Sequence, residues 1–67
     1  MRLREILKGK GQVRITEYEK YGDQIIFTGG AFYDGRHILS LDSNVYPMEM
    51  DIEVFEWRDD KTLMLMR

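Results

Sequence analysis

The sequence predicts an α+β fold in which a short N-terminal helix packs on a curled, mainly antiparallel sheet of five or six strands. Leu3, Ile6 and Leu7 recur at the spacing of one helix face. Most of the remaining chain alternates apolar and polar residues in short runs separated by turn residues. The connections between these runs are too short for crossovers, so neighbouring strands should pair antiparallel. A chain of 67 residues corresponds to a single domain, residues 1–67.

The predicted helix covers residues 2–8 and is stopped by Gly9 and Gly11. A helix this short is not stable alone in water. Its apolar side chains must therefore dock on the sheet.

The first half of the chain predicts a hairpin. Residues 12–21 form the first strand, where β-branched residues are dense. A turn at residues 21–23 leads into a second strand over residues 24–28. The Gly29-Gly30 pair that follows is expected to interrupt this strand as a bulge or a bend.

A second hairpin is predicted at Asp34-Gly35, because glycine tolerates the positive φ of a type I′ turn. Its returning strand covers residues 36–41. The clearest strand is residues 48–57, in which methionine, isoleucine and valine alternate with acids. A final strand over residues 62–66 closes the chain. The core candidates are Leu3, Ile6, Leu7, Val13, Ile15, Ile25, Phe27, Ile38, Met50, Ile52 and Val54.

Composition restricts the class of protein. The chain has no cysteine, which excludes disulfides and thiolate zinc sites and fits a cytoplasmic protein. No stretch approaches the roughly 20 apolar residues of a membrane span, so we expect no membrane association. A domain this small has a thin core, which a well-packed interior, a partner subunit or a metal without cysteine ligands must support.

The sequence carries no catalytic signature, and we expect no enzyme activity, cofactor or metal. The glycines of residues 28–35 are not followed by the Gly-Lys-Ser/Thr of a phosphate loop. His37 has only a nearby acid such as Asp34 as a companion ligand, and two ligands do not make a metal site. Ser40 and Ser43 lack a recognisable base.

The first candidate for a binding site is a row of acids. On a strand, Glu49, Asp51 and Glu53 would be spaced by about 6.6–6.8 Å, a scale similar to that of charges along a nucleic acid. Asp59 and Asp60 would extend the row. Such a surface could occupy the basic channel of a nuclease, or it could be only a solubilising face that protects a sheet edge.

The second candidate is the two-sided apolar character of the last two strands. Phe55 and Trp57 have the parity of the acids rather than of Ile52 and Val54, and residues 62–66 are apolar on both faces. A bulge could return these side chains to one core, the helix could cover the second face, or that face could be a contact surface.

The third candidate is the basic N-terminus. Arg2, Arg4, Lys8 and Lys10 could contact phosphates, and the chain has aromatic residues that could stack on bases. The net charge is nevertheless −2, and no nucleic-acid-binding motif is present. A basic helix that rests near the acidic segments of the same chain is the simpler explanation, so direct nucleic-acid binding is not the expected function.

Two stretches of the sequence, MRLREIL at residues 1–7 and VRITEY at residues 13–18, resemble the start of small uncharacterised proteins from phages and conjugative elements of Gram-positive bacteria. The similarity covers residues 1–28 and, more loosely, residues 48–67 with their Asp-rich turn at residues 58–61. It carries no functional residues with it. The resemblance implies an inhibitor of a host defence system, with anti-CRISPR proteins as the obvious class. A protein of this kind encoded by a phage would act in the cytoplasm of the host cell.

Three hypotheses follow. The first is a non-enzymatic protein-binding inhibitor that occludes the nucleic-acid site of a defence nuclease. Its partner-binding residues are predicted to be Glu49, Asp51, Glu53, Phe55, Trp57, Asp59 and Asp60. The second is a structural homodimer or larger homo-oligomer with the apolar final hairpin as its interface. The third is a small nucleic-acid-binding protein that uses the basic N-terminus.

Overall fold

One short helix and an open, five-stranded mixed sheet make up the fold, seen in a computed structural model that describes residues 1–66. The elements in chain order are helix α1 (Leu3–Leu7) and strands β1 (Val13–Tyr21), β2 (Gln24–Tyr33), β3 (Ile38–Ser40), β4 (Val54–Asp59) and β5 (Thr62–Met66). The strands lie in the order β3-β2-β1-β5-β4. The predicted combination of one helix and a sheet is confirmed, with a helix of only five residues.

The β1–β2 hairpin is confirmed. Tyr21 pairs with Gln24 across a two-residue turn in which Gly22 has a φ of 61°. The predicted irregularity near the glycine pair is also present, because the register shifts between Glu17 and Tyr18 and leaves Thr28 of β2 without an opposite residue. The strand is not interrupted there and continues to Tyr33.

The second hairpin joins β2 to β3, but its turn is longer than a two-residue type I′ turn. Tyr33 pairs with Ile38, so the turn contains residues 34–37. The Asp34 carboxylate accepts hydrogen bonds from the backbone N–H groups of His37 and Arg36, both at 2.7 Å. These bonds lower the pKa of Asp34. Because the turn extends to residue 37, the returning strand is shorter than the predicted residues 36–41.

Residues 41–53 connect β3 at one edge of the sheet to β4 at the other edge. The connection must cross four inter-strand spacings, about 19 Å. It runs beside the N-terminus, where the Leu3 N–H donates to the Met50 carbonyl at 2.9 Å and the Ile52 N–H donates to the Met1 carbonyl at 2.7 Å.

The prediction of a strand over residues 48–57 is therefore right only for residues 54–57, since β4 begins at Val54 and residues 48–53 are not in a strand. The alternation that suggested a strand has another cause. Met48 and Met50 are half-buried and Ile52 is buried, while the intervening acids are exposed, because one side of this extended segment rests on the protein.

A parallel pair lies at the centre of the sheet, where β1 and β5 run side by side. Ile15 pairs with Leu63, and Glu17 pairs with Leu65. Short connections between consecutive strands predict only antiparallel neighbours, so this pairing of strands that are distant in the sequence was not predicted. The other three pairings are antiparallel as predicted.

The core lies between the sheet and the layer formed by α1 and residues 41–53. Its buried side chains are Leu3, Ile6, Leu7, Val13, Ile15, Ala31, Tyr33, Tyr46, Ile52, Leu63 and Leu65. Ile38 and Met50 are partly buried against it. Three predicted core residues are wrong, since Ile25, Phe27 and Val54 are 51%, 60% and 47% exposed. The bulge at Thr28 explains why Phe27 is exposed, because the extra residue moves the Phe27 side chain to the face of the sheet opposite the core.

Candidate functional site

The two faces of the sheet differ in what lies on them. The covered face carries Val13, Ile15, Leu63 and Leu65, which belong to the core together with α1 and residues 41–53. We define the open face as the opposite side. By strand alternation, register and contacts it carries Arg14, Thr16, Tyr18, Lys20, Ile25, Phe27, Phe32, Leu39, Leu41, Val54, Glu56, Arg58, Asp59, Thr62, Met64 and Met66.

The open face is largely apolar. Phe27, Leu39 and Val54 are about half exposed or more, and Met64 and Met66 are partly exposed. The face of a sheet that contacts water usually carries polar side chains. Methionine and aromatic residues are enriched instead in the surfaces that proteins use to bind one another.

One apolar row crosses four strands of the open face. Phe27 pairs with Tyr18, Tyr18 with Met66, and Met66 with Val54. Three inter-strand spacings make this row about 14 Å long. Tyr18 at its centre is only 8% exposed, although it does not belong to the core cluster, so its neighbours on the open face shield it from water.

A shallow hollow of about 440 Å³ lies at the basic end of the open face. It is lined by Arg14, Thr16, Phe27, Arg58, Asp59 and Thr62. The Asp59 carboxylate accepts a hydrogen bond from the Lys61 backbone N–H at 2.8 Å. This bond, and a second one from the Thr62 hydroxyl, lower the pKa of Asp59. Within residues 1–66, neither Arg14 nor Arg58 lies within ion-pair distance of a carboxylate.

Phe55 and Trp57, two of the predicted partner-binding residues, lie on the covered face. Phe55 pairs with Leu65 and Trp57 with Leu63, and both side chains pack partly buried against the core. Lys10 lies over the Trp57 ring. Of the three alternatives, cover by the N-terminal helix agrees with this placement, because the core that Phe55 and Trp57 pack against includes the buried side chains of α1. The methionines of the hairpin lie on the open face.

The predicted acidic row is not carried by a strand. Glu49 forms an ion pair with Arg4, and Asp51 forms one with the N-terminal amino group at 3.0 Å. The hydrogen bond from Arg4 lowers the pKa of Glu49. Glu53 and Asp60 are exposed. Two of the three row members thus have a cationic neighbour, and the regular strand spacing predicted for the row does not apply.

The basic N-terminus is largely engaged within the chain. Arg4 contacts Glu49, and Lys10 contacts Trp57. The simpler explanation, a basic segment resting near the acids of the same chain, is therefore confirmed for Arg4.

A second cavity of about 340 Å³ lies on the covered face beside residues 50–53. Glu17 lines it together with Met50, Ile52 and Leu65. Glu17 is 2% exposed and accepts a hydrogen bond from the Thr28 hydroxyl at 3.3 Å. Sequence reasoning missed this buried acid, although it shares the parity of Val13 and Ile15.

Within the described part of the chain, no group of three or more His, Cys, Asp or Glu side chains is arranged to hold a metal ion. The backbone N–H of His37 donates to the Asp34 carboxylate, and the Asp34 N–H donates to the His37 carbonyl at 3.1 Å. None of the helices described is both long and apolar enough to span a membrane.

Comparison with protein-family models, with curated proteins and with solved structures found no match to this chain. The resemblance to proteins of mobile elements stays a hypothesis.

Proposed function

We propose that this domain is a non-catalytic protein-binding module and that the open face is its binding surface. The observation that carries the proposal is the apolar row of Phe27, Tyr18, Met66 and Val54, exposed at both ends, on a face that α1 and residues 41–53 leave uncovered. Removing such side chains from water on binding stabilises a complex by roughly 25 cal/mol per Å² before the costs of association.

The charges around the row indicate the chemistry of the partner. Arg14 and Arg58 line the hollow, and Lys20 lies beyond Tyr18 on the same side of β1. Glu56 is an acid of this face that lies nearer the β4 edge. The complementary partner is a protein whose apolar patch is bordered by carboxylates beside the hollow.

A protein fits this face better than a nucleic acid does. Bases stack on aromatic rings, whereas Leu39, Val54, Met64 and Met66 offer aliphatic surface. The net charge of −2 also opposes a polyanion.

The test is a selection of displayed peptides on the wild-type domain, with counter-selection on a Phe27→Ser/Met64→Ser variant. We expect enriched peptides that combine apolar and acidic residues. Nuclear magnetic resonance titration should then shift the amide signals of β1, β2 and β5. Peptides that instead perturb residues 49–53 and bind the variant equally well would overturn the proposal.

The narrower role of an inhibitor that blocks a defence nuclease with acidic residues is a second proposal. Glu53, Glu56 and Asp60 support it, since they are exposed at and around the β4 edge. Reversing Glu53, Glu56 and Asp60 to lysine should slow association with such a nuclease, most strongly at low salt. Asp23→Lys in the β1–β2 turn is the control. An unchanged association rate in the triple variant would exclude this role.

A further inference from the structure

We infer that the outer edge of β4 pairs antiparallel with the same edge of a second copy of this chain, so that the two sheets join across a two-fold axis. This inference goes beyond the proposed function, because it concerns the edge of the sheet rather than its open face.

The main-chain N–H and C=O groups of Trp57 point away from the sheet. In the parallel pair, the Arg14 N–H donates to the Lys61 carbonyl at 2.8 Å. Main-chain groups alternate in direction along a strand, so those of Met64 are directed to β4. Glu56 lies opposite Met64, so the main-chain groups of Glu56 are directed inward to β5. The main-chain groups of the next residue, Trp57, are then directed outward, where they have no backbone partner within residues 1–66.

The two edges of the sheet are not equivalent. Edge strand β3 has only three residues, and short edge strands resist pairing with other chains. Edge strand β4 has six residues, Val54–Asp59, and contains neither proline nor lysine, two of the residues that commonly block an edge. An unpaired strand of this kind is a template for adding another strand.

The side chains of β4 select one register for this pairing. Glu56 and Arg58 lie two residues apart and both point to the open side. A two-fold axis perpendicular to the sheet at Trp57 places each Glu56 opposite Arg58 of the second copy. An axis at Glu56 or at Arg58 would instead bring two like charges together, which is destabilising. The charges therefore favour the register centred on Trp57.

The length of the pairing sets its strength. The register with β5 shifts between Trp57 and Asp59, so β4 is irregular at Arg58 and the new ladder, centred on Trp57, is limited to residues 56–58. A ladder this short gives a weak dimer, which forms as protein concentration rises.

The experiment is light scattering after size exclusion from about 10 µM to 1 mM protein, where mass action drives a weak dimer to form. We expect the wild-type chain to approach twice its monomer mass. Glu56→Arg alone and Arg58→Glu alone should each raise the dimer dissociation constant about tenfold or more, since each replaces both opposite-charge pairs by like-charge pairs. The double variant Glu56→Arg/Arg58→Glu restores both pairs and should dimerise like the wild type.

Two controls separate this dimer from other associations. Phe27→Glu alters the open face far from β4, so it should leave the edge dimer intact. Amide hydrogen exchange should show protection of Trp57 that increases with protein concentration. A wild-type chain that stays monomeric, or a double variant that fails to regain the dimer while folded, would overturn the inference. Loss of the dimer in Phe27→Glu alone would assign self-association to the open face and also overturn it.

Discussion

The ammonium group of Lys10 lies 4.6 Å from the centre of the Trp57 ring. Lys10 follows helix α1, and Trp57 projects from the outermost strand β4, so this contact ties the segment after the helix to the far edge of the sheet. An exposed cation–π contact stabilises by about 0.5–1 kcal/mol.

Replacing Lys10 with glutamine should therefore lower the free energy of unfolding by about 0.5–1 kcal/mol and change the tryptophan fluorescence. The fluorescence is specific because the chain has one tryptophan. Lys8→Gln, also exposed and two residues away, is the matched control. Equal spectra for the two variants would contradict the contact.

Leucines on the two faces should respond differently to the same change. Leu63 is fully buried in the core, so Leu63→Ala should lower the free energy of unfolding by about 2–5 kcal/mol. Leu39 is 57% exposed on the open face, and Leu39→Ala should cost less than about 1 kcal/mol. Urea unfolding measures both values, and similar losses would mean that the open face is covered within the monomer.

Gly29 should not tolerate a side chain. A Cβ at this position would overlap the Tyr46 hydroxyl and the Asn44 side-chain amide, which rest on β2 here. Gly29→Ala should therefore destabilise the protein by about 1–3 kcal/mol. Gly11→Ala is the control, since open space surrounds that position. Thermal unfolding of both variants tests the prediction, and equal stabilities would show that residues 41–46 do not rest on Gly29.

Acid should weaken the contact between the N-terminus and residues 48–53. The pKa of Glu49 is lowered by the hydrogen bond from Arg4, so its stabilisation is present above the ordinary glutamate pKa of about 4.3 and is lost as pH falls through the lowered pKa. Unfolding measured from pH 6 down to about pH 3 should show this decline. Glu49→Gln should flatten the decline, whereas Glu5→Gln should not. A wild-type slope retained in Glu49→Gln would contradict the prediction.

The open face should bind an apolar dye. Phe27 is 60% exposed and begins the apolar row, so Phe27→Ser should reduce the fluorescence of a bound anilinonaphthalene sulfonate while costing little stability. Tyr21→Ser removes a ring that is similarly exposed at the hairpin tip and serves as control. An equal reduction by both variants would show that the dye does not report on the row.

The local features of the fold were predictable, and the long-range features were not. Gly22 marked a turn, and Leu3, Ile6 and Leu7 marked a docked helix face, because these signals depend on backbone conformation and spacing within a few residues. The alternation of apolar and acidic residues at 48–53 led to a wrong prediction of a strand, since an extended segment that lies on the protein surface produces the same burial pattern as a strand.

The candidate site was predicted only in part. The two-sided character of residues 62–66 indicated an apolar second face, and Met64 and Met66 do lie on the open face. Phe27 could not be assigned to the open face from the sequence, because the single bulge residue Thr28 reverses which side chains of residues 24–27 face the core. The ion pair of Glu49 with Arg4 depends on tertiary placement that no local pattern encodes.

The parallel pairing of β1 with β5 also has a consequence for synthesis. Arg14 and Thr62 are neighbours in space but about fifty residues apart in sequence, and contacts of this kind slow folding. On a translating ribosome, β5, the parallel neighbour of β1, is the last of the five strands to be made. Until it is released, Val13 and Ile15 have no Leu63 to pack against, so the nascent chain carries an unfinished interior that chaperones can recognise.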